Sequence, residues 1–383
     1  MIVQMPEDMS AHTTSTQKRR SRIPPEIQCF AIYGSASPQN YAAYYDSPLR
    51  TGTQLSLLSS IVNFSNWNTV NTALPGIFCS YVFTVTGGTT NDGLWTGASD
   101  TDWFNCANWS NLEVPSSNTD VLIDQANASS NCVIDQNSVL AAEYGSVANS
   151  NHLTINNLSL KLASAADSVF VQGDLTLAAG IGALDMNEPG LDGHLILSGN
   201  WINQADRTAF DQGEGNIYFV GTGLQTIQTA DPGGVEEFYN LTLQKASGNT
   251  QVACAEIAID NSMSFVSGKL LTNSSQVIVF DADASALNAS NLSYVEGPVV
   301  KETSNSTVTN FIFPTGKGGI LGPIEITTNT FDGEFFSAEY FNTIHPDAAN
   351  FNTIDLGGVS PVEYWDLDDV LNLGTAAQVT LHW

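Results

Sequence analysis

Three stretches of the chain share one nine-residue pattern of apolar and polar positions. They are residues 169–177, 195–203 and 257–265. Each has an apolar residue at positions 1, 3 and 7 and a Gly or Asn at position 5. Alternation of period two is typical of a β-strand with one buried face. Gly or Asn at one fixed position indicates a bend that needs left-handed backbone. Each copy is therefore predicted to be a strand, a corner and a second strand.

Weaker apolar runs fill the intervals between these copies. Strand starts are expected near residues 169, 195, 217, 238, 257 and 277. A spacing of about 19 to 26 residues is that of one coil of a β-solenoid, in which each repeat buries its apolar face against its neighbours. We therefore predict an all-β chain that contains a right-handed parallel β-solenoid, with Gly173, Gly199 and Asn261 stacked at one corner. The alternative is a β-sandwich of short strands joined by frequent turns.

The same patterns divide the chain into four segments. Residues 1–50 are polar with a basic cluster and are predicted to be disordered, and residues 51–88 are predicted to form a small β unit. Residues 89–300 are predicted to form a Trp-rich cap and the solenoid. Residues 301–383 are predicted to form a truncated, antiparallel β-sandwich-like unit. The last unit is expected to contain strands at 310–313, 324–327 and 335–340, with a Gly-rich turn at 316–319.

Composition supports an all-β extracellular protein and excludes some partners. Charged residues make up 13% of the chain, too few for the solvent faces of helices. The 39 acidic residues exceed the 11 basic ones and give a net charge of −28, a surface that repels phosphate backbones and anionic membranes. No apolar run is long enough to span a membrane. We expect neither nucleic-acid binding nor membrane insertion.

One part of the sequence resembles a known family. Residues 94–110, followed by Val114-Pro115 and 119–123, resemble a module common in large secreted surface proteins of Bacteroidetes. Later segments at 294–299, 313–316 and 363–367 are similar to segments that follow the module in those proteins. The resemblance covers about residues 90 to 383 and implies an adhesin-like or matrix-like protein exported by type IX secretion. An N-terminal signal and the family's C-terminal sorting domain are not recognised, so we expect a fragment of a larger protein.

The spaced tryptophans of this module allow two interpretations. Trp95, Trp103 and Trp109 are candidates for stacking on glycans, because flat apolar rings suit sugar faces. Alternatively they cover the open end of the solenoid, which would otherwise expose strand edges.

Cysteines and acidic residues give weaker candidates. Cys106 and Cys132 flank the Trp module and its first strand, and they are expected either to form a disulfide or to be two small buried hydrophobic residues. Asp366, Asp368 and Asp369 form an acidic patch that is a weak calcium candidate, the alternative being a solvated turn.

Catalytic motifs are not recognised in the sequence. The five histidines are scattered, and neither HExxH nor GxSxG occurs. We therefore predict no catalytic residues, no metal and no cofactor apart from calcium. The expected function is that of a non-enzymatic, secreted or cell-surface, adhesin-like structural protein whose partners are glycans or other surface proteins. A carbohydrate-binding or polysaccharide-cleaving β-helix is the main alternative, and an inert spacer is a third.

Overall fold

The computed structural model describes residues 92–382 except 136, 139–140, 142–146, 188–192, 232, 305, 330–332, 351–357 and 372–375. Within this part the protein is all-β, as predicted. Short 3-10 helices span Cys106–Asn108 and Arg207–Ala209. The predicted segments 1–50 and 51–88 lie outside the described residues.

The first four coils each contribute three short strands. After β1 (Asp92–Leu94), they are β2 (Asp120–Asp124), β3 (Cys132–Ile134) and β4 (Ala148–Ser150); β5 (Leu153–Asn156), β6 (Leu160–Leu162) and β7 (Ser168–Val171); β8 (Leu175–Ala179), β9 (Leu184–Asp185) and β10 (His194–Leu197); and β11 (Trp201–Asn203), β12 (Phe210–Asp211) and β13 (Asn216–Phe219). Equivalent strands of successive coils pair in parallel and form three faces around one interior. The predicted parallel β-solenoid is confirmed.

In the later coils two strands are much longer than the rest and run from one face into the next. They are β14 (Gln225–Thr229), β15 (Val235–Gln244), β16 (Thr250–Val252), β17 (Glu256–Ser267), β18 (Leu270–Leu271), β19 (Val277–Phe280), β20 (Ser285–Leu287), β21 (Val295–Glu296) and β22 (Val299–Glu302). The pairing of β15 with β17 shifts register after Phe238. The Phe238 ring lies 5.1 Å from that of Trp201 and 6.0 Å from that of Phe210. The first half of β15 therefore continues the second face, and its second half pairs with β13 on the third.

In-register pairing aligns the inward side chains of the first face into a column along the solenoid axis. Its members, all at most 2% exposed, are Val121, Leu153, Leu175, Trp201, Ile227 and Val252. Burying such a side chain contributes roughly 1.5–3 kcal/mol. Each coil gains this only when its neighbours are present, which couples the coils to one another.

The predicted corner is correct for two of its three residues. The stretches 169–177 and 195–203 pair residue for residue, so Gly199 lies directly over Gly173. A Cβ on Gly199 would lie 2.2 Å from the carbonyl carbon of Gly173, so close approach of the backbones requires glycine there. Neither glycine has a positive φ, which corrects the predicted left-handed bend. Asn261 lies at a different corner, inside β17 between the second and third faces.

In later coils, glycines with left-handed backbone lie at the same corner as Gly173 and Gly199. Gly221, Gly248 and Gly268 have φ values of 84°, 75° and 84°. The backbone bend expected in the nine-residue stretches is thus made in the following coils, which have no copy of that pattern at this corner.

The C-terminal unit is antiparallel, as predicted. Its strands are β23 (Thr309–Phe313), β24 (Gly316–Lys317), β25 (Ile320–Leu321), β26 (Ile324–Thr328), β27 (Phe335–Phe341), β28 (Tyr364–Asp369) and β29 (Gln378–Leu381). β27 pairs with β22 and β28 with β27, which extends a solenoid sheet. β23, β26 and β29 form a separate three-stranded sheet, and the Gly-rich turn joins the small β24–β25 hairpin.

Candidate functional site

The three tryptophans predicted to stack on glycans lie in the interior. Trp95 and Trp103 are 0% exposed and Trp109 is 1% exposed. Trp109 packs edge to face against both, with ring centroids 5.1 Å from Trp95 and 4.9 Å from Trp103. The indole N–H of Trp109 donates to the backbone oxygen of Trp103 at 2.8 Å. A sugar has no access to these rings, so the glycan-stacking prediction is wrong.

The same module is bonded to the first coil. The backbone N–H of Trp95 donates to the Leu122 oxygen of β2, and that of Trp103 donates to the Val133 oxygen of β3, both at 2.9 Å. β1 also pairs in parallel with β2. The Trp module thus occupies strand edges of the first coil on two faces, which is the packing arrangement of a cap.

Asn108 is a residue of this module that sequence reasoning missed. It is fully buried, and its Oδ1 accepts from the backbone N–H groups of Ser99 and Asp100 at 2.9 and 3.0 Å. Its Nδ2 donates to Asp100 Oδ1 at 2.6 Å and to the Asp102 oxygen at 2.9 Å. One amide therefore holds the loop that carries Trp103 in place. In the sequence Asn108 is one of many asparagines and has no distinctive spacing, and only the structure shows that it is buried.

The predicted disulfide between Cys106 and Cys132 is wrong. Cys132 is a free thiol whose side chain points into the core from β3. Complete burial raises the pKa of this thiol well above its usual value. Cys132 therefore behaves as the small buried hydrophobic residue of the alternative interpretation.

The calcium candidates do not form one cluster. Strand alternation places Asp366 and Asp368 on the exposed face of β28, whereas Asp369 pairs with the inward-facing Phe336 on the opposite face. Among the residues that the structure describes, no three His, Cys, Asp or Glu side chains are grouped so that they could hold a metal.

Two more aspartates, Asp281 and Asp283, lie in the turn after β19. Burial and the neighbouring Asp260 raise the pKa of Asp281 to about 6.

The backbone of this turn binds a buried lysine. Lys301 is 2% exposed, and its Nζ donates to the backbone oxygens of Asp281, Ala282 and Ala284, the last two at 2.8 and 3.1 Å. Burial lowers the pKa of Lys301 to about 8. The residue could have been found in the sequence, because it occupies the inward register of Val299-Val300-Lys301.

A carboxyl group also lies inside the solenoid. Glu236 is 1% exposed, and its Oε2 accepts from Asn203 Nδ2 at 2.9 Å. Burial raises the pKa of Glu236 to about 7 and that of the nearby buried Cys254 to about 12. These groups have the chemistry of an acid and a nucleophile, but both side chains face the packed interior, where a substrate outside the solenoid does not reach them.

The C-terminal unit contains an open groove of about 390 Å³. Its apolar lining comes from both sheets and the loop between them, and consists of Ile324, Val359, Trp365, Leu367, Val379 and Leu381. β28 is an edge strand of one sheet and β29 of the other, within the described part of the chain. The groove therefore separates two sheets that close over a core elsewhere but not here.

Polar and aromatic groups form the rim of the groove. The Tyr364 ring stacks on Phe341 at 4.5 Å and meets His345 edge to face at 4.7 Å. The Tyr340 hydroxyl donates to Glu363 Oε2 at 2.8 Å, and burial together with this carboxylate raises the pKa of Tyr340 to about 12. This rim is pre-organised by its own contacts, and the arrangement suits binding of an apolar or aromatic group.

No family model, curated protein or solved structure matches the chain. In the described residues no helix is both long and apolar enough to cross a membrane.

Proposed function

We propose that this chain is a non-enzymatic structural part of a secreted or cell-surface attachment protein, in which the solenoid is a stiff spacer. The observation that carries the proposal is the way polar side chains at one corner bond coil to coil. This use of polar groups supports a mechanical role, because the bonds run along the solenoid axis.

The corner ladder connects five successive coils, from Asp120 to Thr226. Asn151 Nδ2 donates to Asp120 Oδ1 at 2.7 Å, and His152 Nδ1 accepts from the Asp174 N–H at 2.9 Å. Three further bonds reach the next two coils. The Asn200 N–H and Nδ2 donate to Asp174 Oδ1 at 2.7 and 2.9 Å, and the Thr226 N–H donates to Asn200 Oδ1 at 2.8 Å.

These bonds add to the continuous backbone pairing of the faces. Each coil lengthens the axis by about 4.8 Å, the spacing of paired strands. Successive coils are bonded through backbone and the interior column, and the first five also through the corner ladder, so pulling or bending must break several contacts at once. A spacer with these properties gives reach to a surface protein and suits weak multivalent contacts.

The resemblance of residues 90–383 to Bacteroidetes surface proteins supports the location. Antibodies against the chain should label intact cells of the source organism without permeabilisation. Beads coated with the purified chain should attach to a surface or matrix preparation, and soluble chain should compete. Labelling only after permeabilisation, or release of new reducing ends from a polysaccharide panel by the purified chain, would contradict the proposal.

A further inference from the structure

We propose that the groove of the C-terminal unit binds an extended β-strand, which pairs with the free edge of β29 and places alternate apolar side chains between the two sheets. The partner is a neutral or basic segment of another protein. This inference deepens the proposed attachment function and rests on it only for the biological setting.

The first argument is the mismatch between orientation and burial on β29. Val379 and Leu381 pair with Ile326 and Ile324, and therefore point toward the same side of the sheet. Ile324 and Ile326 are 2% and 0% exposed, whereas Val379 and Leu381 are 46% and 40% exposed. The inward face of the edge strand thus carries apolar side chains without a covering layer among the described residues.

The second argument is the backbone. One side of β29 pairs with β26, and the described residues supply no strand on its other side. An edge strand presents a row of N–H and C=O groups that another extended chain can pair with. A strand added there has side chains of period two, so one set of alternate residues enters the groove and the other set faces solvent.

The third argument selects the chemistry of the partner. The chain carries 39 acidic and 11 basic residues, and Glu363 lies at the groove itself. Like-charge repulsion disfavours a second copy of this chain as the occupant, and charge complementarity favours a segment whose solvent-facing residues are neutral or basic.

The test uses the full chain and a fluorescent nine-residue peptide of sequence Lys-Val-Thr-Val-Lys-Val-Thr-Val-Lys. We expect saturable binding by fluorescence anisotropy, together with slower backbone hydrogen exchange in β29 and not in β7, β10 or β13. The same peptide with alternate backbone amides N-methylated should not bind, because it cannot continue the ladder.

Matched variants locate the contact. Val379→Lys and Leu381→Lys put a charge into the groove and should weaken binding at least about tenfold, which corresponds to 1.4 kcal/mol. Thr380→Gln changes the intervening residue, which points to the other face, without adding a charge beside the lysines of the peptide, and should leave binding unchanged. Leu381→Thr keeps β propensity and serves as a milder groove variant if a lysine variant fails to fold by circular dichroism.

Three outcomes would overturn the proposal. One is that the peptide does not bind the wild-type chain. Another is equal binding to all variants, which would place the contact elsewhere. The last is self-association that Val379→Lys abolishes, since the occupant would then be a second copy of the chain. None of these results depends on the adhesion assays, so the two proposals can fail separately.

Discussion

At the scale of single residues, the interior of the solenoid holds a carboxyl group whose protonation is coupled to folding. Glu236 lies beside Asn203 and Cys254, and the charge of Glu237, which Arg207 binds at 3.0 Å, also acts on it. Glu256 acts on Cys254. Its pKa rises from 4.5 to about 7 because the charged form is desolvated.

The raised pKa of Glu236 makes the folded protein less stable at higher pH. Since the pKa is higher in the folded state, the contribution of Glu236 to stability is fully present below pH 4.5 and is lost as the pH rises through about 7. Glu236→Gln keeps the shape and removes the titration. Between pH 4.5 and pH 8, we expect the free energy of unfolding of the variant to rise by on the order of 3 kcal/mol relative to that of the wild type.

Urea unfolding of both proteins at these two pH values measures this difference. Glu237→Gln is the control, because that side chain is partly exposed and should show a much smaller change. An equal difference between wild type and Glu236→Gln at both pH values would contradict the prediction.

Asn108 allows a second prediction at this scale. Asn108→Ala removes four hydrogen bonds and leaves two backbone N–H groups without their partner. At roughly 1 kcal/mol for each bond, the variant should lose about 4 kcal/mol of stability. Asn118→Ala, on an exposed side chain nearby, should change stability by less than about 0.5 kcal/mol. Thermal unfolding followed by Trp fluorescence distinguishes the two, and similar losses would show that the buried amide is not the cause.

At the scale of elements, the tightest constraint is the corner between the third and first faces. Gly199→Ala would place a methyl group 2.2 Å from the carbonyl of Gly173, and neither backbone can move without disturbing two pairs of paired strands. We expect Gly199→Ala to lower the free energy of unfolding by about 3 kcal/mol or more, because the added methyl group displaces backbone.

Gly233→Ala is the matched control for this substitution. Its Cβ would meet nothing closer than 3.4 Å, and its φ is not positive, so the change should be neutral or slightly stabilising. Circular dichroism melts of both variants check the pair. A Gly199→Ala protein as stable as Gly233→Ala would mean that the corner is looser than the structure indicates.

At the scale of the whole molecule, the charge of −28 opposes compaction. Raising NaCl from about 0.01 M to about 0.1 M shortens the Debye length from about 30 Å to about 10 Å and screens this repulsion. We expect the melting temperature at pH 7 to rise by a few degrees. The effect should shrink near pH 4.1, the isoelectric point, where the net charge disappears. A salt response that is equal at both pH values would contradict the electrostatic explanation.

Much of the architecture follows from local sequence. Alternation of period two determines which face of each strand is buried, and the spacing of strand starts indicates coils, because both depend on neighbouring residues. The two stretches containing Gly173 and Gly199 were paired correctly for this reason. The antiparallel C-terminal strands and the turn at 316–319 were also predicted from local patterns.

The sequence could not determine which coil and which face each segment joins, because that depends on long-range packing. The pattern around Asn261 is that of the other two copies, but the long strand β17 carries it to another corner. In the sequence, the three tryptophans Trp95, Trp103 and Trp109 are compatible with a sugar-binding surface. Only the structure shows that packing against β2 and β3 buries them. The groove exists because β29 pairs with β26 about 50 residues earlier, and long-range pairing of this kind leaves no signal in a local pattern.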